Sequence, residues 1–182
     1  MSKTSKQFDA IGEICREIFA KKLQDYGAAW RILRPSSLTD QIYIKANRVR
    51  SFEVKGVQQI SESSRGEYIG IVNYSLIALI QLQRGFSEKI DISQEAALEL
   101  YDSFLLEAKN LMEKKNHDYD EAWREMRISS FTDLILMKLF RVKQIEDNKG
   151  VTLASEGVDA NYYDILNYAV FALIKTDFQE DE

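Results

Sequence analysis

A segment of 25 residues occurs twice in this chain, and this duplication constrains the fold more than any other feature of the sequence. Residues 25–49 read DYGAAWRILRPSSLTDQIYIKANRV, and residues 118–142 read DYDEAWREMRISSFTDLILMKLFRV. The two segments are identical at 14 of 25 positions without a gap. Self-similarity of this kind indicates a tandem repeat. We therefore expect two copies of one supersecondary unit.

Many of the shared residues are charged or polar, which a repeated hydrophobic core alone does not require. The shared polar pairs are Asp25/Asp118, Arg31/Arg124, Arg34/Arg127, Ser36/Ser129, Ser37/Ser130, Asp40/Asp133, Lys45/Lys138 and Arg48/Arg141. Lys45 and Arg48 stand three residues apart, as do Lys138 and Arg141, so each pair lies on one face of a helix. We expect these cations, together with Arg31 and Arg124, to bind phosphate oxygens. A solvated helix face is the alternative interpretation.

Length and composition favour one folded, helix-rich domain. The chain has 182 residues, of which 45% are hydrophobic and 29% charged, with a single proline. Half of it, about 90 residues, is short for a unit with its own core. We therefore expect two repeats, approximately residues 6–84 and 93–176, to share one core. The predicted fold is an all-α bundle in which two helix-turn-helix-helix repeats are related by a pseudo-two-fold axis.

Hydrophobic periodicity predicts three helices in each repeat. In the first repeat they cover residues 6–24, 42–54 and 67–84, with a helical turn at 28–33 and a polar loop at 56–66. In the second repeat the corresponding helices run from a Ser93 cap to about residue 116, from Ser130 to about residue 147, and over residues 159–176. Ser37 and Ser130 precede Asp40 and Asp133 by three positions, which is typical of helix N-termini. Helix capping would explain these residues without a functional role.

Net charge and apolar patterning disfavour several classes of protein. A net charge of −5 argues against a nucleic-acid-binding surface, which requires an excess of Lys and Arg. Cys15 is the single cysteine and cannot form an intrachain disulfide, so we expect a core thiol and a reducing, cytoplasmic location. The most apolar run, residues 68–83, is shorter than the ~20 residues that span a bilayer. We interpret it as a buried helix and expect no membrane association.

The candidate chemistry is limited to carboxylates and cations. With one histidine, His117, and one cysteine, a catalytic triad or a zinc site of the usual ligands is close to excluded. Any metal would be a hard ion such as Mg²⁺ or Mn²⁺ in an all-oxygen site. The candidate carboxylates are Glu13, Glu17, Asp25, Asp40, Glu67, Asp118, Asp133 and Asp164. Asp25 and Asp118 stand out because an acid is unfavourable at the negative end of a helix dipole.

Two aromatic pairs also recur in the repeats, Trp30 with Trp123 and Tyr26 with Tyr119. Large aromatic side chains contribute much of the buried surface of a core, and they also offer flat faces for stacking. We interpret these residues as core residues in preference to platforms for a nucleobase.

Three short motifs resemble those of a known family. In the first repeat they are KLQDYG at residues 22–27, IKANRV at 44–49, and Asn73-Tyr74 in the third helix. The second repeat supplies Lys115, Asp118 and Tyr119, then Lys138 and Arg141, then DILNY at residues 164–168. Together these motifs resemble the nucleotide modification associated domain 1 family, which is similar to the MazG-like all-α nucleoside triphosphate pyrophosphohydrolases.

The resemblance implies a fold of the pyrophosphohydrolase type and a nucleoside triphosphate bound through a carboxylate-held Mg²⁺, with water attacking the α-phosphorus to release pyrophosphate. It implies metal ligands among Asp25, Asp118, Glu67, Asp164, Glu13 and Glu17. The related enzymes have two acids three residues apart in the late helix. Here each repeat keeps one of them, since the first reads Glu67-x-x-Gly70 and the second Asn161-x-x-Asp164. An enzyme would therefore need Glu67 and Asp164 to converge across the pseudo-two-fold axis.

Three functions are compatible with these patterns. The first is a Mg²⁺-dependent nucleotide pyrophosphohydrolase. The second is a degenerate module that binds a nucleotide or another phosphorylated small molecule through the repeated Lys and Arg residues. The third is a helical interaction protein in which the repeated charges only stabilise packing. An internally duplicated chain is compatible with a monomer and with a homodimer.

Overall fold

The computed structural model describes residues 1–56, 61–153 and 156–178. In this part of the chain every regular element is helical, which confirms the predicted all-α, internally duplicated fold. The α-helices are α1 (Lys3–Tyr26), α2 (Pro35–Lys55), α3 (Ser61–Arg84), α4 (Gln94–Tyr119), α5 (Ile128–Asp147) and α6 (Val158–Asp177). Short 3₁₀ turns, Ala29–Ile32 and Ala122–Glu125, follow α1 and α4. Each repeat therefore has the same order of elements.

The largest differences from the predicted helices are at the starts of α2 and α3, which begin at Pro35 and Ser61 instead of at residues 42 and 67. α2 begins at Pro35, because proline at the first helical position lacks only an N–H that would be unpaired there. Arg34 is extended, as expected before a proline, and no side chain caps the helix. α3 begins at Ser61, and its polar first turns lack the apolar periodicity from which a helix is predicted. Residues 57–60 of the predicted loop at 56–66 lie outside the described residues.

The earlier start of α2 overturns the capping interpretation of the Ser-x-x-Asp pattern. Ser37 lies in the first turn of α2 rather than before it, and Ser130 has the same place in α5, which follows Arg127. Asp40 and Asp133 instead form ion pairs between the repeats. Two serines do cap helices, since the side chain of Ser93 accepts a bond from Ala96 N at 3.1 Å and that of Ser2 from Ser5 N at 3.1 Å.

The six described helices form three layers of two. α3 and α6 pack against each other in the middle layer, α2 and α5 cover one face, and α1 and α4 cover the other. Buried side chains from both repeats belong to one continuous core. The apolar run at residues 68–83 lies in α3, and no described helix is long and apolar enough to cross a membrane. Cys15 is part of the core, and burial raises the pKa of its thiol to about 12.

Reciprocal contacts relate the two repeats by a pseudo-two-fold axis. Thr39 of α2 donates to Glu146 of α5 at 2.6 Å and contacts the hydroxyl of Tyr162 of α6. The counterpart Thr132 of α5 contacts the Tyr68 hydroxyl at 2.6 Å and Glu53. Each threonine therefore binds a tyrosine and a glutamate from the other repeat, so the two repeats hold each other through matching buried polar contacts.

Exposed ion pairs follow the same symmetry. Asp40 lies 3.4 Å from Lys143, and Asp133 lies 3.6 Å from Arg50, which is the counterpart of Lys143. Because both aspartates are largely exposed, each pair contributes at most about 1 kcal/mol. The repeated Asp40 and Asp133 are explained by the contact between α2 and α5.

Candidate functional site

The second repeat contains a buried carboxylate between two lysines. Asp164 of α6 accepts bonds from Lys115 of α4 at 2.6 Å and from Lys138 of α5 at 2.8 Å. Burial alone would raise the pKa of Asp164, but the two lysines outweigh it and hold the pKa below its usual value. Asp164 is therefore a charged group whose partners both come from its own repeat.

The first repeat has the two lysines without the acid. Asn73-Tyr74 of α3 align with Asn167-Tyr168 of α6, so Gly70 corresponds to Asp164, while Lys22 and Lys45 correspond to Lys115 and Lys138. A Cβ atom at Gly70 would lie 2.9 Å from both Cδ and Cε of Lys45. The Lys45 side chain therefore lies over the glycine, in space that an aspartate would need.

The first repeat keeps its acid one helical turn earlier, at Glu67. Arg48 lies 2.9 Å and Lys45 3.5 Å from the Glu67 carboxylate. The counterpart in the second repeat, Asn161, donates to the carbonyl of Gly157 at 2.8 Å instead. Of the predicted phosphate-binding cations, Lys45 and Arg48 therefore lie next to Glu67, and Lys138 lies next to Asp164. Arg141 lies near Tyr168.

A cavity of about 750 Å³ opens beside Lys22, Lys45 and Gly70. Its walls are mostly apolar and aromatic, with Phe19, Tyr26, Trp30 and Tyr74 among them. Among its described lining residues the charged ones are Lys22 and Lys45, and no carboxylate is present. A concave apolar pocket of this size with a few polar groups is typical of sites for small molecules.

An aromatic side chain occupies the corresponding space in the second repeat. Phe171 of α6 stacks on Trp123 with ring centroids 4.2 Å apart and an interplanar angle of 7°. At the same positions the first repeat has Ile77 and Trp30, which both line the cavity. Trp30 contacts Phe19 in a tilted arrangement at 6.2 Å. The smaller Ile77 lines the cavity at the position of Phe171, and Lys45 lies over Gly70 at the position of Asp164.

The floor of the cavity is held in place by Asn73. Its amide donates to the carbonyl of Cys15 at 3.1 Å and accepts a bond from the Tyr101 hydroxyl at 2.7 Å. Above it, the Lys45 ammonium lies 5.5 Å from the centre of the Tyr74 ring, within the range of a cation–π contact. The position of Lys45 is therefore set by Glu67 on one side and Tyr74 on the other.

Arg31 and Arg124, which were predicted to bind phosphate, make internal contacts. Arg31 is buried and donates to Asp91 at 2.8 Å and to the carbonyl of Gly85 at 2.6 Å. Arg124 donates to Glu121 at 2.8 Å and to Gln7 at 2.8 Å. Both guanidinium groups thus join the turn of one repeat to a neighbouring segment, and the structure does not bring Arg31 to the lining of the cavity.

The predicted metal ligands lie in separate places. Asp25 and Asp118 are exposed at the ends of α1 and α4, and Glu13 and Glu17 are exposed on α1, where Glu17 pairs with Lys21 at 2.8 Å. Glu67 and Asp164 each bind two cations of their own repeat. In residues 1–56, 61–153 and 156–178 no three His, Cys, Asp or Glu side chains form a group suited to a metal ion. This arrangement does not fit Mg²⁺, because lysine and arginine side chains already neutralise Glu67 and Asp164.

Several cavity residues were missed as site residues by the sequence reasoning. Gly70, Ile77 and Trp30 line the cavity, and Tyr74 contacts Lys45, but none of them was predicted to bind a ligand. A signal was present in the differences between the repeats, since Gly replaces Asp at one position and Ile replaces Phe at another. The positions at which the repeats are identical do not reveal such differences.

Comparison with protein families gives one match, which covers both repeats. The family described as nucleotide modification associated domain 1 matches residues 22–82 and 115–176, together more than half of the chain. Both matched segments begin at the lysine of the KxxDY motif and include the third helix of their repeat. The same chain compared with curated proteins and with solved structures gives no match.

Proposed function

The chain belongs to the nucleotide modification associated domain 1 family, and from this premise we propose that it binds a nucleotide, or a similar phosphorylated aromatic molecule, in the cavity of the first repeat. In this proposal Lys22 and Lys45 bind the phosphate. Trp30, Tyr26 and Tyr74 contact the aromatic ring.

The observation that carries the proposal is the combination of cations and aromatic side chains in one cavity. Lysines bind phosphate oxygens as point charges, and such contacts are stronger than those between neutral groups. Aromatic side chains stack on nucleobases with little regard to base identity, at about 1–3 kcal/mol per base. Both groups line the same cavity of about 750 Å³, a volume suited to a small molecule.

Hydrolysis of a triphosphate, as the likeness to MazG-like enzymes implies, needs more than this cavity offers. That chemistry depends on Mg²⁺ to neutralise the phosphates and position water. No described lining residue is a carboxylate, and Glu67 is engaged by Lys45 and Arg48. Binding is therefore the function that the geometry supports best, and hydrolysis becomes an outcome to be measured.

The proposal is tested by isothermal titration with nucleoside mono-, di- and triphosphates, with and without Mg²⁺, and with pyrophosphate measured in the same samples. We expect saturable binding that Lys45→Gln weakens by about 10-fold or more, since a charge-assisted bond is lost. Lys55→Gln, on the exposed end of the same helix, is the matched control and should bind normally. Absence of binding, or equal binding by the Lys45 variant, would contradict the proposal. Pyrophosphate release would identify an enzyme.

A further inference from the structure

The second repeat contains side chains that resemble a bound ligand. The Asp164 carboxylate lies 2.6 Å from Lys115 and 2.8 Å from Lys138, and the Phe171 ring stacks on Trp123 at 4.2 Å. Both groups belong to α6, and the residues at their positions in the first repeat, Gly70 and Ile77, line the cavity. The second repeat therefore shows what the lysines and the tryptophan of this fold bind when the space is filled.

The first repeat keeps the receiving residues and lacks the two filling groups. Lys22, Lys45 and Trp30 line its cavity, while Gly70 and Ile77 stand where the carboxylate and the ring would be. No carboxylate and no aromatic ring therefore stand at these two positions, and Lys45 instead pairs with Glu67 at 3.5 Å. A Cβ atom at Gly70 would lie 2.9 Å from the Lys45 side chain, so the lysine occupies part of the space that an aspartate would take there.

The charge of the cavity limits how many phosphates it can neutralise. Its charged lining residues in the described chain are Lys22 and Lys45, and Lys45 shares the Glu67 carboxylate with Arg48, at 3.5 Å and 2.9 Å. Three positive side chains and one negative side chain leave a net charge of +2. A phosphate monoester carries about −1.5 to −2 charges at pH 7, which this net charge can balance. A triphosphate carries further charge that proteins usually neutralise with Mg²⁺, and no carboxylate lines this cavity to hold the ion.

We infer that the ligand of the first repeat is a nucleoside monophosphate, bound without a divalent metal ion, with its phosphate between Lys22 and Lys45 and its base on Trp30 beside Ile77. The inference rests on the proposed function and names the class of nucleotide. The phosphate takes the place of the Asp164 carboxylate and the base takes the place of the Phe171 ring. Asp164 and Phe171 are thus an internal substitute for the ligand in the second repeat.

The inference is tested with the full chain by titrating the monophosphates, the triphosphates and the free nucleosides of the four bases, and inorganic phosphate, in the presence of EDTA. We expect at least one monophosphate to bind about 10-fold or more tightly than its triphosphate, its nucleoside or phosphate alone. Excess Mg²⁺ in place of EDTA should leave that affinity unchanged. A triphosphate that binds more tightly with Mg²⁺ would overturn the inference and leave the proposed function standing. If no nucleotide binds, both are wrong.

One variant tests the assigned position of the base independently of the position of the phosphate. Ile77→Phe introduces the aromatic side chain of the second repeat and should weaken monophosphate binding by about 10-fold or more, because the ring then occupies the place of the base. Leu82→Phe, an equal change on the exposed side of the same helix, is the matched control. Circular dichroism and urea unfolding show whether both variants fold. Unchanged monophosphate affinity in folded Ile77→Phe would contradict the assigned position of the base.

Discussion

Asp164 of the second repeat fills the space between two lysines, whereas Gly70 at the corresponding position of the first repeat leaves two lysines at the edge of a cavity of about 750 Å³. Phe171 and Ile77 differ in the same sense, since the larger side chain stacks on a tryptophan and the smaller one lines the cavity. The third helix of each repeat thus differs at two positions that face these lysines and tryptophans.

The contacts between α2 and α5, and those of their threonines with α3 and α6, show no such divergence. Thr39 and Thr132 each bind a tyrosine and a glutamate of the other repeat, and the exposed pairs Asp40–Lys143 and Arg50–Asp133 are also reciprocal. A contact across a pseudo-two-fold axis involves both copies, so a change on one side leaves a buried group of the other unpaired. These reciprocal contacts are therefore kept in both repeats, whereas the surroundings of the paired lysines differ between them.

The largest expected effect on nucleotide binding comes from introducing into the first repeat the acid that the second repeat has. Gly70→Asp places a carboxylate between Lys22 and Lys45 and should weaken nucleotide binding by about 100-fold, since loss of a buried charge contact amounts to about 2–5 kcal/mol. Isothermal titration measures this change.

Gly70→Ala controls for the size of the added side chain without its charge. Its Cβ also meets the flexible Lys45 side chain at 2.9 Å, so a loss as large as that of Gly70→Asp would assign the effect to steric contact. The comparison between the repeats requires the aspartate to have clearly the larger effect. Normal binding by folded Gly70→Asp would show that the ligand does not use these lysines.

A smaller effect is expected from removing the internal anion of the closed repeat. Asp164→Asn leaves Lys138, which is 12% exposed, without its charged partner. Breaking a buried pair costs about 3–5 kcal/mol, and we expect about 2 kcal/mol because Lys115 can turn to water. Glu67→Gln, the matched change in the open repeat, should cost about 1 kcal/mol or less, since Arg48 is 58% exposed. Urea unfolding measures both losses.

The same pair of variants gives a test with pH. The pKa of Asp164 is lowered in the folded protein, so its stabilisation is present above the unfolded-state value of about 3.9 and is lost as the pH falls through the folded value. The difference in free energy of unfolding between wild type and Asp164→Asn should therefore shrink below about pH 4. A difference that stays constant down to the acid limit of folding would contradict the charged state assigned to Asp164.

The smallest expected effect is on the pH dependence of stability, and it should be equal in the two repeats. Burial raises the pKa of Glu53 and of Glu146, despite the hydrogen bonds from Thr132 and Thr39. Groups with a raised folded pKa stabilise the fold below their unfolded value of about 4.3, and this stabilisation is lost as the pH rises through the folded value. Glu53→Gln and Glu146→Gln should each remove a similar part of that pH dependence in urea unfolding. A change in only one variant would show that the interface is less symmetric than its contacts.

Much of the fold was predictable because it depends on patterns that one sequence contains. The repeated 25-residue segment predicted two copies of one structural unit, and apolar periodicity predicted three helices in each copy. The start of α2 was predicted wrongly because Ser37 and Asp40 imitate a helix cap, whereas Pro35 begins the helix. Asp40 and Asp133 both form ion pairs between α2 and α5, which are far apart in the sequence, so residue spacing does not reveal this contact.

The site was only partly predictable, since a cavity forms where small side chains stand at positions that larger ones would fill. Lys45, Arg48 and Lys138 were selected because they recur, and the structure places them beside Glu67 and Asp164. Arg31 and Arg124 recur as well, but for internal contacts, so recurrence alone does not identify a binding residue. The cavity follows from Gly70 and Ile77, two positions at which the repeats differ.

The central claim, that the first repeat binds the ligand and the second is closed, can be tested through the two tryptophans. The chain contains only Trp30 and Trp123, so a ¹⁵N-labelled sample gives two indole N–H signals, which Trp30→Phe assigns. During titration with the tightest-binding nucleotide we expect the Trp30 signal to shift and the Trp123 signal, beneath Phe171, to remain in place. A shift of the Trp123 signal alone, or equal shifts of both, would contradict the claim.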